Sequence, residues 1–383
     1  MNAIISPAAE TGSTPASWRE LLQGVGPRIE ATGRECDRAG EFVARNLNLL
    51  ESMGFFALGV PADLGGGGAS FTEVAAMLRA LARLDGSTAL TLAMHTHQVM
   101  VAEWKRRVQG APTEGLLKKV AGEGLRIVSS GGSDWLPGSG RAEKADGGYR
   151  IHARKVFSSG AADGDVLNTS AVYDDPQAGP QVLHFPLPMK QAGVVVQSNW
   201  DTLGMRGTGS QDVEIDGAFV PDAAIAAARP PGKWHPLFHL ISMIAFPLVY
   251  SVYAGVADGA RDAALALARR GRPDGTALQA IGELENAHAA MELALAAMVE
   301  TGAVAMPSVE TTHRIMTLRN LVGQGALEVG SRSLEVAGGA GFYRANGVEQ
   351  RFRDLQGARF HPLQDRQQQA FAARVALGLD VDG

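Results

Sequence analysis

The stretch SLEVAGGAGFYRANGVEQRFRDLQGARFHPLQ, residues 333–364, decides how this chain is read. Its apolar helical turns run into Gly338 and Gly339, which close a helix and leave backbone free of side chains. A cofactor or a second subunit can pack closely against such a segment. An arginine-rich helical turn follows, then Asp354, and then His361 with Pro362 directly behind it. A histidine near a helix carboxyl end, just before proline, can serve simply as a favourable last-turn cation. Whether His361 does more depends on what the rest of the chain brings to it.

Outward from that stretch the chain turns from helix to strand and back. From Trp18 to about Val120 the spacing predicts helices, with ECDRAGEFVARNLNLLESMGF (35–55) running to Gly54 and FTEVAAMLRALARL (71–84) stopping at Asp85-Gly86. From about Arg126 to Asp222 short runs rich in valine and isoleucine, broken by glycine and aspartate, predict a β domain of about one hundred residues. After the proline-rich ARPPGKWHP (228–236) long helices return. There Leu278, Ile281, Leu284, Met291, Leu295 and Met298 draw one apolar stripe, as in a helix bundle. The fold class is therefore α+β: a disordered lead-in over residues 1–18, a helical domain over 19–125, a β domain over 126–225 and a helical bundle over 235–383.

Composition narrows the function classes. The chain has 383 residues, 45% hydrophobic and 20% charged, with a formal net charge of −5, which points away from disorder and from nucleic acid and towards small-molecule substrates. The single cysteine, Cys36, excludes an intrachain disulfide and a cysteine metal cluster. With no basic start followed by an apolar run, the expected location is cytoplasmic. Residues 240–257 carry no charge and approach the length of a membrane span, but Pro247, two serines and two tyrosines interrupt them. A buried core helix and no membrane association is the expectation.

Two loops could face a cofactor. IVSSGGSDW (127–135) ends a strand in glycines and hydroxyls, and KVFSSGAADGD (155–165) has the same texture. Either can present N–H groups and serine hydroxyls to a phosphate or a flavin edge, and either can be an ordinary turn. His95 and His97 lie two apart and His235 and His239 four apart, but neither pair has a third ligand at a recognisable spacing, so no metal site is expected. No P-loop, nucleophile elbow or dinucleotide fingerprint is present.

Four segments in this order, MGFFALGVPADLGGGGAS (53–70), IVSSGGSD (127–134), TLGMRGTGSQDVEIDGAFVPD (202–222) and EVAGGAGFYRANGVEQRFRD (335–354), resemble the acyl-CoA dehydrogenase superfamily from about residue 20 onward. The resemblance implies an N-terminal helical domain, a central β-barrel, a C-terminal four-helix bundle, FAD between barrel and bundle, and a homotetramer. By position, Ser129 and Ser133 match hydroxyl residues at the flavin edge and pyrophosphate, and Phe157 and Ser159 the pair beside the flavin ring. Gly338, Gly339 and Gly341 match the segment that meets a neighbouring subunit's flavin. Glu335 departs from the family's usual glutamine.

A larger departure lies at the catalytic base. An acyl-CoA dehydrogenase needs a carboxylate to take the α proton while flavin accepts hydride. The family's usual position, eight residues after the aspartate of its Arg-Asp pair, holds Pro362 here. The alternative seat on the first bundle helix, LISMIAFPLVY (240–250), contains no carboxylate. Glu283 and Glu285 remain as displaced bases. The chain also resembles the superfamily's two-component flavin monooxygenases, which use reduced FMN or FADH2 from a separate flavin reductase to oxygenate aromatic or heterocyclic compounds. Several of these carry a histidine seven residues after that aspartate, where His361 stands. Imidazole suits proton exchange near neutral pH, and His95 is a second candidate. Three functions follow: a flavin monooxygenase, an acyl-CoA dehydrogenase with a displaced base, and a silent flavin- or thioester-binding scaffold.

Overall fold

The computed structural model describes residues 17–130, 132, 134–271 and 274–382. The lead-in expected before residue 17 lies outside them, and so does Ser133. Helix α1 (Trp18–Ala39) starts on a capping box in which Ser17 and Glu20 satisfy each other's backbone N–H groups. The single helical run predicted over 35–55 is broken. Gly40 adopts φ 68° and returns its N–H to the Cys36 carbonyl, and a second helix, α2 (Ala44–Ser52), follows. Ser70 and Glu73 form another capping box for α3 (Phe71–Leu84), and the Asp85 side chain caps α4 (Gly86–Gln109). α5 (Glu114–Glu123) completes the first helical group.

The strands are β1 (Ile127–Ser129), β2 (Arg141–Ala145), β3 (Gly148–Lys155), β4 (Val166–Asp175), β5 (Gly179–Pro188), β6 (Val194–Val196), β7 (Val213–Pro221) and β8 (Ala227–Arg229). The strands form one central eight-stranded sheet ordered β6-β7-β3-β2-β4-β5-β8, with β1 parallel to β4. Alternation along β7, with Val213, Ile215, Ala218 and Val220 buried, turns one face into the sheet's own core. The parallel pairing of β1 delivers Ser129 opposite Asn168, so the loop after β1 leaves the sheet at the edge that faces the helices.

The third segment contains α6 (Pro236–Ala268), α7 (Gly275–Val304), α8 (Val309–Ala337), α9 (Val348–Leu355) and α10 (Asp365–Ala376). α6 is long and apolar enough to cross a membrane, yet its most apolar window is 94% buried inside the protein. It packs on α3, α4, α7, α8 and α9, and one hydrophobic core runs from Leu78 of α3 through Leu248 of α6 to Val329 of α8. That burial explains its composition, since a helix surrounded on all sides has no face to spare for charge. The α7 stripe is shorter than predicted: Leu284, Met291, Leu295 and Met298 are buried, whereas Leu278 is 58% exposed.

Candidate active site

A cavity of about 560 Å³ lies where α4, the loops after β1 and β3, the loop of residues 200–210, α6 and the turn after α9 converge. This is the size range of small-molecule and cofactor sites. One side is hydroxylic. Thr208 donates to the Met205 carbonyl at 2.9 Å, so the Ser210 hydroxyl must donate to Thr208 and Ser159 must donate to Ser210, both at 2.7 Å. Ser159 is thereby left with lone pairs only for whatever occupies the cavity. Ser129, at the end of β1, and Ser130, paired with Thr169 at 2.7 Å, extend that wall.

Much of the remaining lining is aromatic and aliphatic. Trp135, Trp200, Phe246 and Phe360 belong to it, and Phe157 meets Trp200 edge to face at 5.7 Å. Among the described residues, only Phe157 (φ 54°) and Met205 (φ 52°) are non-glycine residues with positive φ, and both line this cavity. Such backbone is costly and persists where surrounding contacts hold it. The contacts at Met205 are visible: its N–H donates to Asp354 and its carbonyl accepts from Trp200 Nε1 at 3.1 Å. Gly204 is required beside it, because a Cβ there would stand 2.1 Å from the Arg353 carbonyl oxygen. Burial pushes the Asp354 carboxyl up to about 8, and Asp37 and Asp85 push the same way. Neighbouring Arg353 grips Asp37 with two hydrogen bonds of 2.7 and 3.0 Å, pinning α9 to α1.

His361 lines the cavity from the turn after α9. Its Nε2 lies 2.8 Å from the Tyr253 hydroxyl of α6. Above it, Arg319 of α8 donates to the His361 carbonyl at 2.8 Å, and the Tyr250 hydroxyl donates to the Ala358 carbonyl at 2.8 Å. The imidazole is not the near-neutral proton carrier its reference pKa suggests. Burial, then the Arg319 charge and His97, hold it down at about 3, so it is neutral throughout the physiological range.

His95, the second catalytic candidate, stands outside this cavity. Its Nδ1 accepts from the Ile127 N–H at 3.1 Å, so its Nε2–H donates to the Phe56 carbonyl at 3.1 Å, and no nitrogen remains for a substrate. A spacing of two turns a helix by about 200°, and it is His97, with Gln98 next to it, that reaches the cavity. His97 donates from Nδ1 to the Ala93 carbonyl at 3.1 Å and meets Gln98 Nε2 at 3.0 Å; burial holds it neutral, with a pKa of about 4. The other histidine pair is structural too. His235 caps α6 through the Leu237 N–H, and His239 hydrogen-bonds Thr312 and stacks on Trp234 at 5.5 Å.

The glycine segment is elsewhere. Gly338, Gly339 and Gly341 form the turn after α8, away from the cavity, with Phe342 and Tyr343 exposed beside it. Glu335 is also exposed and pairs with Arg332. The displaced bases are engaged: Glu283 with Arg332, and Glu285 with Arg261 through two hydrogen bonds. Among the described residues, no aspartate or glutamate lines the cavity. Sequence reading missed Trp135, Trp200, Tyr253, His97 and Gln98 as cavity residues, because nothing local marks a side chain that only tertiary packing brings to a site.

The cavity suits a flavin. The tricyclic ring has a polar edge that would meet the Ser159 lone pairs and the Ser129 and Ser130 hydroxyls, and an apolar edge for the Trp200 and Phe157 side. Comparisons agree with this geometry. Residues 21–110 match the model for the acyl-CoA dehydrogenase N-terminal domain. A structure of KijD3 in complex with FMN and dTDP-3-amino-2,3,6-trideoxy-4-keto-3-methyl-D-glucose superposes with a TM-score of 0.86 at 27% identity, over 98% of this chain and 97% of that one. Residues 21–110 thus carry an acyl-CoA dehydrogenase N-terminal domain, and the chain as a whole is similar to flavin enzymes of that fold. Curated relatives include amino sugar nitrososynthase DnmZ of Streptomyces peucetius, 27% identical over 95% of this chain and 94% of its own length. Another is dibenzothiophene monooxygenase of Rhodococcus qingshengii, 28% identical over 90% and 89%.

Proposed function

We propose that this protein is a flavin-dependent monooxygenase that works with reduced flavin, FMN or FADH2, delivered by a separate reductase. The observation that carries the reading is the absence of any aspartate or glutamate among the described residues lining the cavity, with Pro362 where an acyl-CoA dehydrogenase keeps its base. Removing the α proton of a thioester needs a base whose pKa is near the working pH. The described histidines at the cavity, His97 and His361, are both held far below it.

A bound reduced flavin would supply two electrons and the site at which O2 is activated, so that one oxygen atom enters the substrate and the other leaves as water. The chain's own residues then have three tasks. Ser159 and the neighbouring hydroxyls orient the ring's polar edge. Trp135, Trp200 and Phe246 exclude water and offer flat apolar surface to an uncharged ring substrate, as aromatic faces do. His361, neutral and fixed to Tyr253, gives a hydrogen bond where negative charge develops on oxygen. A homotetramer in which the exposed Phe342 and Tyr343 meet a neighbouring subunit is supported by their exposure of 85% and 69%.

The test uses the full chain with flavin, NADH and a flavin reductase. Under labelled O2, an aromatic heterocycle should take up one labelled oxygen atom per molecule. In the absence of oxygen, the oxidised holoprotein should keep its colour when mixed with a panel of acyl-CoA thioesters. Rapid bleaching by any of them would overturn the proposal in favour of dehydrogenation, and a protein that binds no flavin would favour the silent scaffold.

A further inference from the structure

We infer that Tyr253 is a positioning residue that fixes the tautomer of His361, so that the imidazole presents an N–H to the cavity and not a lone pair. Tyr253 is buried at 1% exposure, and its hydroxyl has one polar partner among the described residues, His361 Nε2 at 2.8 Å. A buried O–H that gives its proton to nothing costs about 1 to 3 kcal/mol. The reverse arrangement, with Nε2–H donating to the phenol, would leave the phenol proton with no acceptor. The Tyr253 hydroxyl therefore donates, Nε2 accepts, and the ring proton of the neutral imidazole resides on Nδ1. Nδ1 makes no hydrogen bond among the described residues, and it is not one of the sealed, unpartnered buried atoms, so its N–H opens onto the cavity.

Four further features keep the imidazole neutral and the contact short. Arg319 reaches over the turn from α8, where it lies 5.0 Å from the Tyr250 ring centre, and its positive charge opposes protonation of the ring from above. His97 of α4, also neutral, lines the same cavity. From the other side, burial drives the Tyr253 phenol well above its ordinary range, so it does not ionise and turn into an acceptor. Gly357 lets the turn close on this pair: a Cβ there would stand 2.9 Å from the Tyr253 oxygen. The consequence is a division of labour in which His361 acts as a hydrogen-bond donor toward oxygen and the Tyr253 hydroxyl, taken up by the imidazole, holds it in that form. Free imidazole prefers the other tautomer, so without the phenol the ring would turn its lone pair to the cavity.

The experiment reads the tautomer directly, in the full chain labelled with 15N at the histidine ring nitrogens, by magic-angle-spinning spectra near pH 7, with His361 assigned by its loss in His361→Gln. The wild-type protein should show His361 protonated at Nδ1 and bare at Nε2. Tyr253→Phe removes one oxygen and should shift His361 to the Nε2–H form, with turnover falling roughly tenfold or more and KM changed little, since the donor is lost at the step and not at binding. A wild-type signal from the Nε2–H form would overturn the inference, and so would a tautomer that stays the same in Tyr253→Phe. The readout needs neither flavin nor turnover, so it stands or falls separately from the proposed oxygenation.

Discussion

His361 and His95 look alike in their perturbed pKa and in their aromatic neighbours. Both imidazoles are held neutral, one at about 3 and the other at about 4. Both rest against an aromatic ring, Tyr253 at 5.4 Å and Phe56 at 5.0 Å. The difference is the number of nitrogens already engaged. His95 gives one to the Phe56 carbonyl and the other to the Ile127 N–H, and so ties α4 to the first strand. His361 gives one to Tyr253 and keeps one. A histidine can do chemistry where the fold leaves a nitrogen unspent and open to a cavity; the perturbed pKa does not separate the two cases.

The comparison is broken most severely at His361. His361→Ala should cost roughly 10² to 10⁴ in product formation, the usual worth of a positioned proton donor, while the fold survives. Oxygen-coupled turnover together with a thermal melt checks it, and retained turnover would reduce His361 to a helix-end residue. The same substitution at His95 should do the opposite. His95→Ala strands the Phe56 carbonyl and the Ile127 N–H in a dry site, a loss of about 3 kcal/mol in urea unfolding, with turnover per folded molecule unchanged within about twofold. A turnover defect in the folded fraction would place His95 in the chemistry after all.

The helical segments were legible in the sequence because apolar spacing and caps are local signals. Ser70 with Glu73 announces α3 unaided. The interruption at Gly40 and the exposure of Leu278 were not, since the first turns on one left-handed residue and the second on which neighbour covers a helix face. In the site, Ser129, Phe157, Ser159 and His361 were reached through family position and do line the cavity. His95 was chosen where His97 faces inward, because a two-residue spacing fixes the angle between them but not which one points to a cavity that α6 helps to build. Tyr253, 108 residues from His361, carries no sequence mark at all.

The smallest expected effect concerns protons bound on folding. His95, His97 and His184 are held at about 4, and His361 at about 3, all below the 6.5 of the unfolded chain. Their stabilising contribution is complete above pH 6.5 and is lost as pH falls towards 4 and 3, because the unfolded state binds protons that the folded state refuses. Asp354 works the other way: raised from 3.8 to about 8, it contributes below pH 4 and loses that contribution as pH rises through 8. These histidines, joined by the lowered His235 and His239, outnumber Asp354 and the likewise raised Asp85, which leaves a net fall in stability with acid across the shared window of pH 4 to 6. In urea titrations at stepped pH, His361→Gln should therefore flatten that slope by about one proton, or about 1.4 kcal/mol per pH unit. Asp354→Asn, which keeps an acceptor for the Met205 N–H, should steepen it by as much. A slope unmoved by His361→Gln would mean that the ring takes up its proton inside the folded protein, and with it the neutral donor that distinguishes His361 from His95 would be gone.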